Sequence, residues 1–202
     1  MSDSRSSLRQ RHAQITRRLI VDAARKLFLE GGYANTTIES IADQAGVAVS
    51  TIYAVFRSKR GILRAIRKAW HHQSHIQEFL YSHPADADPA QSIERLAAAT
   101  RLQWDTGLDV IKIYRGAAAA DSEAAAELQE AMQGRQKGLD TFTALLKDHL
   151  RHGLDLPHAS AIVRALCQPE VYEELVVRSG WTAEAYQGWL ASAIQREILE
   201  TA

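Results

Sequence analysis

With one cysteine, Cys167, the 202-residue chain can form neither an internal disulfide nor a cysteine-built metal cage, which fits a reducing compartment. No apolar run approaches the roughly 20 residues that span a bilayer. The N-terminal MSDSRSSLRQRHAQITRR is polar and basic with no apolar segment behind it, so a cytoplasmic protein without a membrane partner is expected. There are only four prolines, and the period-2 alternation of strands is almost absent. No glycine-rich phosphate loop appears, and no nucleophile, base and orienting group assemble. No catalytic residue, cofactor or enzymatic activity is therefore expected.

A formal net charge of zero conceals an uneven distribution. Residues 1–70 carry 13 Lys and Arg against 5 Asp and Glu, whereas residues 71–202 carry 11 against 19. A basic first third with no long apolar face beside it points to nucleic acid rather than a membrane surface.

Alanine, leucine, glutamate and arginine recur at three- and four-residue spacing, which predicts an all-α protein with 46% hydrophobic residues to fill a core. The first helix is expected at 15–30, its face formed by Ile20, Ala23, Ala24, Leu27 and Phe28 and its end marked by Gly31-Gly32. A second starts at Thr36, with Glu39 completing a capping box, and ends near Gly46. A third, about two turns long, follows at once. Ser58 caps a fourth that runs to about Tyr81, and the loop 82–89 breaks the pattern. Further helices are expected at 90–106, 108–119, 122–152, 158–178 and 182–200.

Two short helices joined by a turn at Gly46 form the pattern of a helix-turn-helix. Ile38, Ile41, Ala42 and Ala45 face inward on the first, and Ile52, Val55 and Phe56 on the second. Val49, Ser50, Thr51, Tyr53 and Ala54 then face outward. Hydroxyls suit phosphates and base edges, since Ser and Thr both donate and accept and Tyr can reach a phosphate from the groove wall. Arg57, Lys59 and Arg60 follow at a helix start, where free N–H groups and positive side chains favour a phosphate.

The stretch TTIESIADQAGVAVSTIYAVFRSKRGIL, preceded by IVDAARKLFLEGGY, resembles the DNA-binding domain of the tetracycline-repressor (TetR) family of bacterial regulators over about residues 15–70. That likeness implies phosphate contacts from Thr37, Tyr53 and Lys59, and places Val49, Ser50 and Thr51 nearest the bases. Family members often carry Ser where this chain has Ala48, so the recognition helix is expected to lack a side-chain cap. PEVYEELVVRSGWTAEAYQGWLASAIQREIL is similar to the last two helices of the family, which build its dimer interface. Tyr186, Leu190, Ile194 and Ile198 repeat every four residues there, with Trp189 and Ala193 widening the stripe.

These readings give an N-terminal three-helix helix-turn-helix domain, residues 1–60, and a larger helical effector-binding and dimerisation domain, residues 61–202. The resemblance implies a small-molecule effector in the second. Trp70, His75, Phe79, Trp104, Ile111, Tyr114, Phe142 and Leu146 are its candidate lining, although aromatics at helical spacing more often make plain core. His71 and His75 stand one turn apart, but His72 occupies the position where a metalloprotease helix needs Glu, so no metal is expected. The expected function is a ligand-responsive repressor acting as a homodimer on a roughly palindromic duplex. The alternatives are an effector-independent DNA-binding dimer controlled by concentration or a protein partner, and an enzyme built on His71 and His75.

Overall fold

The computed structural model describes residues 3–74 and 88–200, and within them every regular element is helical. Helix α1 spans Asp3–Gly31, α2 Ile38–Ala45, α3 Val49–Phe56 and α4 Lys59–Ser74. Helix α5 spans Pro89–Ala118, α6 Ser122–Leu145, α7 Leu156–Leu166, α8 Pro169–Tyr172 and α9 Ala183–Ile198. No described helix is long and apolar enough to cross a membrane.

The described chain divides into two compact units. One comprises residues up to Trp70 together with Asp109–Leu128, and the other His71–Leu108 with residues from Gln129 onward. Helices α5 and α6 each contribute to both.

In the first unit, α1 buries Ile20, Ala23, Ala24 and Phe28. Its N-terminal extension before Ile15 has no apolar periodicity, so no face pattern announces it. Gly32 adopts φ 79°, the left-handed conformation that ends α1. The cap of α2 lies one residue later than expected. Thr37 Oγ1 accepts from Ser40 N–H and Ser40 Oγ from Thr37 N–H, at 3.1 and 3.2 Å. The partner of the capping box is therefore Ser40 and not Glu39. Thr36 is buried, and its hydroxyl donates back to the carbonyls of Gly32 and Leu27 at 2.8 and 3.2 Å.

In the second unit and at its junctions, three predicted breaks move. Gly107 is buried within an uninterrupted α5, because the apolar spacing Trp104, Ile111, Tyr114 runs through it and no proline follows. Helix α6 stops at Leu145, seven residues before the expected end. Leu150 bridges antiparallel to Leu199, and Arg151 N–H donates to Ile198 C=O at 2.9 Å, so pairing with the chain's far end outcompetes further helix. Residues 158–178 divide at Cys167 because Pro169 cannot continue the ladder; it starts α8, which runs into a widened π turn at Glu173–Arg178. Thr182 caps α9 through Ala185 N–H at 3.1 Å. Tyr186, Leu190, Ile194 and Ile198 are all buried in the core of this single chain.

Candidate nucleic-acid interface

The geometry of α3 follows from what holds its two ends. At its start Gly46 takes φ 65°, and Val47 N–H closes on Ala42 C=O at 3.0 Å, ending α2 and releasing the chain into α3. Ala48 occupies the N-cap position with no side-chain hydrogen bond, as its residue type dictates. Ile52 and Phe56 are buried, which fixes the helix's rotation.

At its end Arg57 takes φ 66°, the one non-glycine with positive φ among the described residues, at a cost of about 1 kcal/mol. Gly61 makes this sharp turn possible. A Cβ there would stand 2.0 Å from the Phe56 carbonyl oxygen, so the start of α4 passes against the end of α3 with no room for a side chain. Ser58 Oγ accepts from Gly61 N–H at 3.1 Å and caps α4, as the sequence predicts.

This arrangement turns Ser50 and Tyr53 to the surface, Tyr53 being 49% exposed, with Val49 and Thr51 partly exposed beside them. Among the described residues, the side chains of Ser50, Thr51 and Tyr53 have no hydrogen-bond partner in the chain, so they are available to one outside it. Thr37 is exposed at the start of α2, its hydroxyl already engaged in the capping box.

Lys59 is placed differently. Its ammonium donates to the carbonyls of Tyr33, Thr36 and Ala34 at 2.8, 3.0 and 3.4 Å and stands 4.4 Å over the Tyr33 ring. Burial lowers its pKa. The lysine thus ties the α1–α2 loop, which presents Thr37, to the head of α4. The sequence contains a signal for this clamp in the helix-ending Gly-Gly-Tyr and the Lys that follows Phe-x-Ser, but the backbone carbonyls that accept it are invisible as residue types.

Much of the basic charge after α3 is consumed inside the first unit. Arg60 bonds to Asp121 at 3.0 Å and to Glu123, and Arg64 to Glu127 at 2.5 Å. Arg67 donates to the Glu127 carbonyl at 3.3 Å, and Arg25 pairs with Asp109 through two bonds of 2.6 Å. Asp121 also caps α6 through the N–H groups of Glu123 and Ala124. Burial pushes its carboxyl up, yet Arg60 and the two amides outweigh this and hold it below the usual carboxylate range.

The candidate effector residues fall in separate units. Trp70, Ile111 and Tyr114 are buried in the first, where burial raises the Tyr114 pKa and its hydroxyl faces Leu63 C=O and Glu127 at 3.4 and 3.3 Å. Trp104, Phe142 and Leu146 are buried in the second. His75 and Phe79 lie outside the described residues, and with them the His71–His75 pair.

Comparison with known proteins agrees with this geometry. Residues 20–66 match the family described as bacterial regulatory proteins, tetR family. The fatty acid metabolism regulator protein of Bacillus subtilis is 45% identical over 49 residues, 24% of this chain and 25% of that protein. The matched stretch thus spans about a quarter of the length of the curated relatives. Solved structures extend the likeness in fold to nearly the whole chain. NalD, the secondary repressor of a multidrug efflux pump in Pseudomonas aeruginosa, superposes with a TM-score of 0.71 at 21% identity, covering 95% of this chain and all of that one. SmeT in complex with triclosan gives 0.72 at 21% identity and 93% of each chain. Over residues 20–66 the chain thus carries the domain of the tetR family of bacterial regulatory proteins.

Proposed function

We propose that this protein is a transcriptional repressor that binds a roughly palindromic DNA operator as a homodimer and is released by a small-molecule effector. The observation that carries the reading is the outer face of α3, where hydroxyls without partners among the described residues stand on a helix whose opposite face is locked by Ile52 and Phe56. Val49, Ser50 and Thr51 read base edges in the major groove, and Tyr53 and the start of α2 at Thr37 meet phosphates. Lys59 contributes by holding the loop that carries Thr37. In functional terms, residues 1–60 serve DNA and residues 61–202 serve effector and dimer.

Homodimerisation through the last two helices has support in the outward side of α9. Trp181 is 38% exposed, and Ala185, Gly188 and Ser192 are exposed at helical spacing after it. Small residues let a second helix approach closely, and a two-fold pairing would place two α3 helices about one DNA turn apart, roughly 34–36 Å or a multiple of it. An effector acts by preferring the conformer whose recognition helices do not fit DNA, and coupling of roughly 1–3 kcal/mol suffices. Binding of triclosan by SmeT, which shares the fold, supports a small-molecule site in the second unit, with Trp104, Phe142 and Leu146 in its apolar wall.

Selection of bound duplexes from a random pool by the purified protein tests this reading. A palindromic consensus is the expected result. Binding that tracks salt and enriches no sequence would overturn it.

A further inference from the structure

The core of the second unit contains a cation with no counter-ion among the described residues. Arg135 of α6 keeps part of its stem at the surface, but its Nη1 is closed off from solvent and has no hydrogen-bond partner. Nη2 donates to the Cys167 carbonyl at 2.7 Å, and the guanidinium lies 4.8 Å from the centre of the Trp104 ring. Trp104 Nε1–H donates to the same carbonyl at 3.2 Å, so indole and guanidinium are held against each other by one acceptor at the end of α7. Among the described residues, the ionisable groups that act on Arg135 are Cys167 and Tyr186. Burial raises the pKa of both, so neither carries a charge at neutral pH. Tyr186 of α9 is fully buried, and its hydroxyl likewise has no partner.

A guanidinium cannot shed its proton to escape burial. An unpaired cation and an unpaired hydroxyl, near enough to influence each other in one core, are unfavourable unless a third group completes them. The carbonyl at the α7 terminus offsets part of the charge and leaves Nη1 unused.

We propose that the second unit binds a monoanionic ligand, a carboxylate, whose oxygens accept from Arg135 Nη1 and the Tyr186 hydroxyl. A single charge matches a single free donor edge on one cation; a phosphate dianion would need a second. The Trp104 ring is already covered by the guanidinium, so it orients Arg135 rather than stacking on the ligand. This assignment rests on the effector reading given above and specifies its chemistry.

The test is calorimetric titration of the full chain with benzoate, 1-naphthaleneacetate and decanoate, each beside its primary amide, while release of the selected operator duplex is followed by anisotropy. At least one acid is expected to bind roughly tenfold or more tightly than its amide, since a neutral amide oxygen accepts a weaker hydrogen bond from the guanidinium than a carboxylate does. Arg135→Gln should abolish that preference and Arg135→Lys should retain part of it. Tyr186→Phe removes a hydroxyl with no hydrogen-bond partner among the described residues, so it should weaken the acid several-fold and leave the thermal midpoint in place. It serves as the informative variant should the Arg135 replacements fail to fold. Amides binding as well as acids, acid preference surviving in Arg135→Gln, or no acid binding at millimolar concentration would overturn the proposal. Amides that bind and release DNA would sink the carboxylate site while the effector reading stands. An acid that binds through Arg135 without releasing DNA would uphold the site and sink the effector role.

Discussion

Helices α3 and α4 are neighbours in one unit, yet their polar side chains serve opposite purposes. On α3, the side chains of Ser50, Thr51 and Tyr53 have no hydrogen-bond partner among the described residues. On α4, Lys59 is held by three carbonyls, Arg60 by Asp121 and Glu123, Arg64 by Glu127, and Arg67 by a carbonyl of α6. Residue type alone would rank these four, of the five Lys and Arg side chains of α4, as the better DNA ligands. On the proposed reading their partners make α4 a mount and α3 the surface it presents.

The comparison breaks most sharply at the junction of the two helices. Gly61→Ala would drive a methyl group into the Phe56 carbonyl, and a loss of about 3 kcal/mol in chemical unfolding is expected. Smaller is the effect of Lys59→Met, which strands three carbonyls; a loss of about 1–2 kcal/mol is expected, with the salt dependence of DNA binding retained. A salt slope reduced by about one, with stability unchanged, would move Lys59 from the mount to the reading surface.

Smaller again is the contribution of the Arg60–Asp121 contact, which is visible through pH. The folded-state pKa of Asp121 is depressed, so its stabilisation is present above the ordinary carboxylate value and is lost as pH falls through the lower folded value. Asp121→Asn should therefore flatten the acid limb of the stability profile, and an unaltered limb would show the contact to be inert. At the low end, Ser50→Ala and Tyr53→Phe should change stability by less than about 0.5 kcal/mol while altering DNA binding. Tyr53→Phe should weaken all sequences alike, and Ser50→Ala should shift the preferred operator.

Most of the first unit was legible in the sequence because its signals are local. Gly32, Gly46 and Ser58 end or start helices where their residue types demand it, and Ile52 and Phe56 face inward as their spacing requires. The exceptions are long-range. Thr36 looks like a cap but is buried beneath α1, leaving Thr37 to do the capping. Gly107 looks like a break, yet α5 carries it because apolar packing continues on both sides. The early end of α6 has no residue signal at all, since it depends on Leu199, 49 positions beyond Leu150. The candidate site was readable on α3 and unreadable on α4, because exposed groups are identified by periodicity whereas internal partners such as Asp121 and Glu127 lie some 60 residues away. The orphaned Arg135 is invisible to spacing for the same reason: an arginine on a helix is ordinarily a surface residue.

The central claim, that α3 reads sequence while α4 holds it in place, is tested most directly by measuring the affinity ratio between the selected operator and a scrambled duplex, across a range of salt. The wild type is compared with the Ser50→Ala, Thr51→Ala double variant. The account predicts that the ratio falls by roughly tenfold or more while the salt slope stays the same, because base contacts are lost and phosphate contacts are not. An unchanged ratio in a folded double variant would contradict it and return sequence recognition to another surface of the protein.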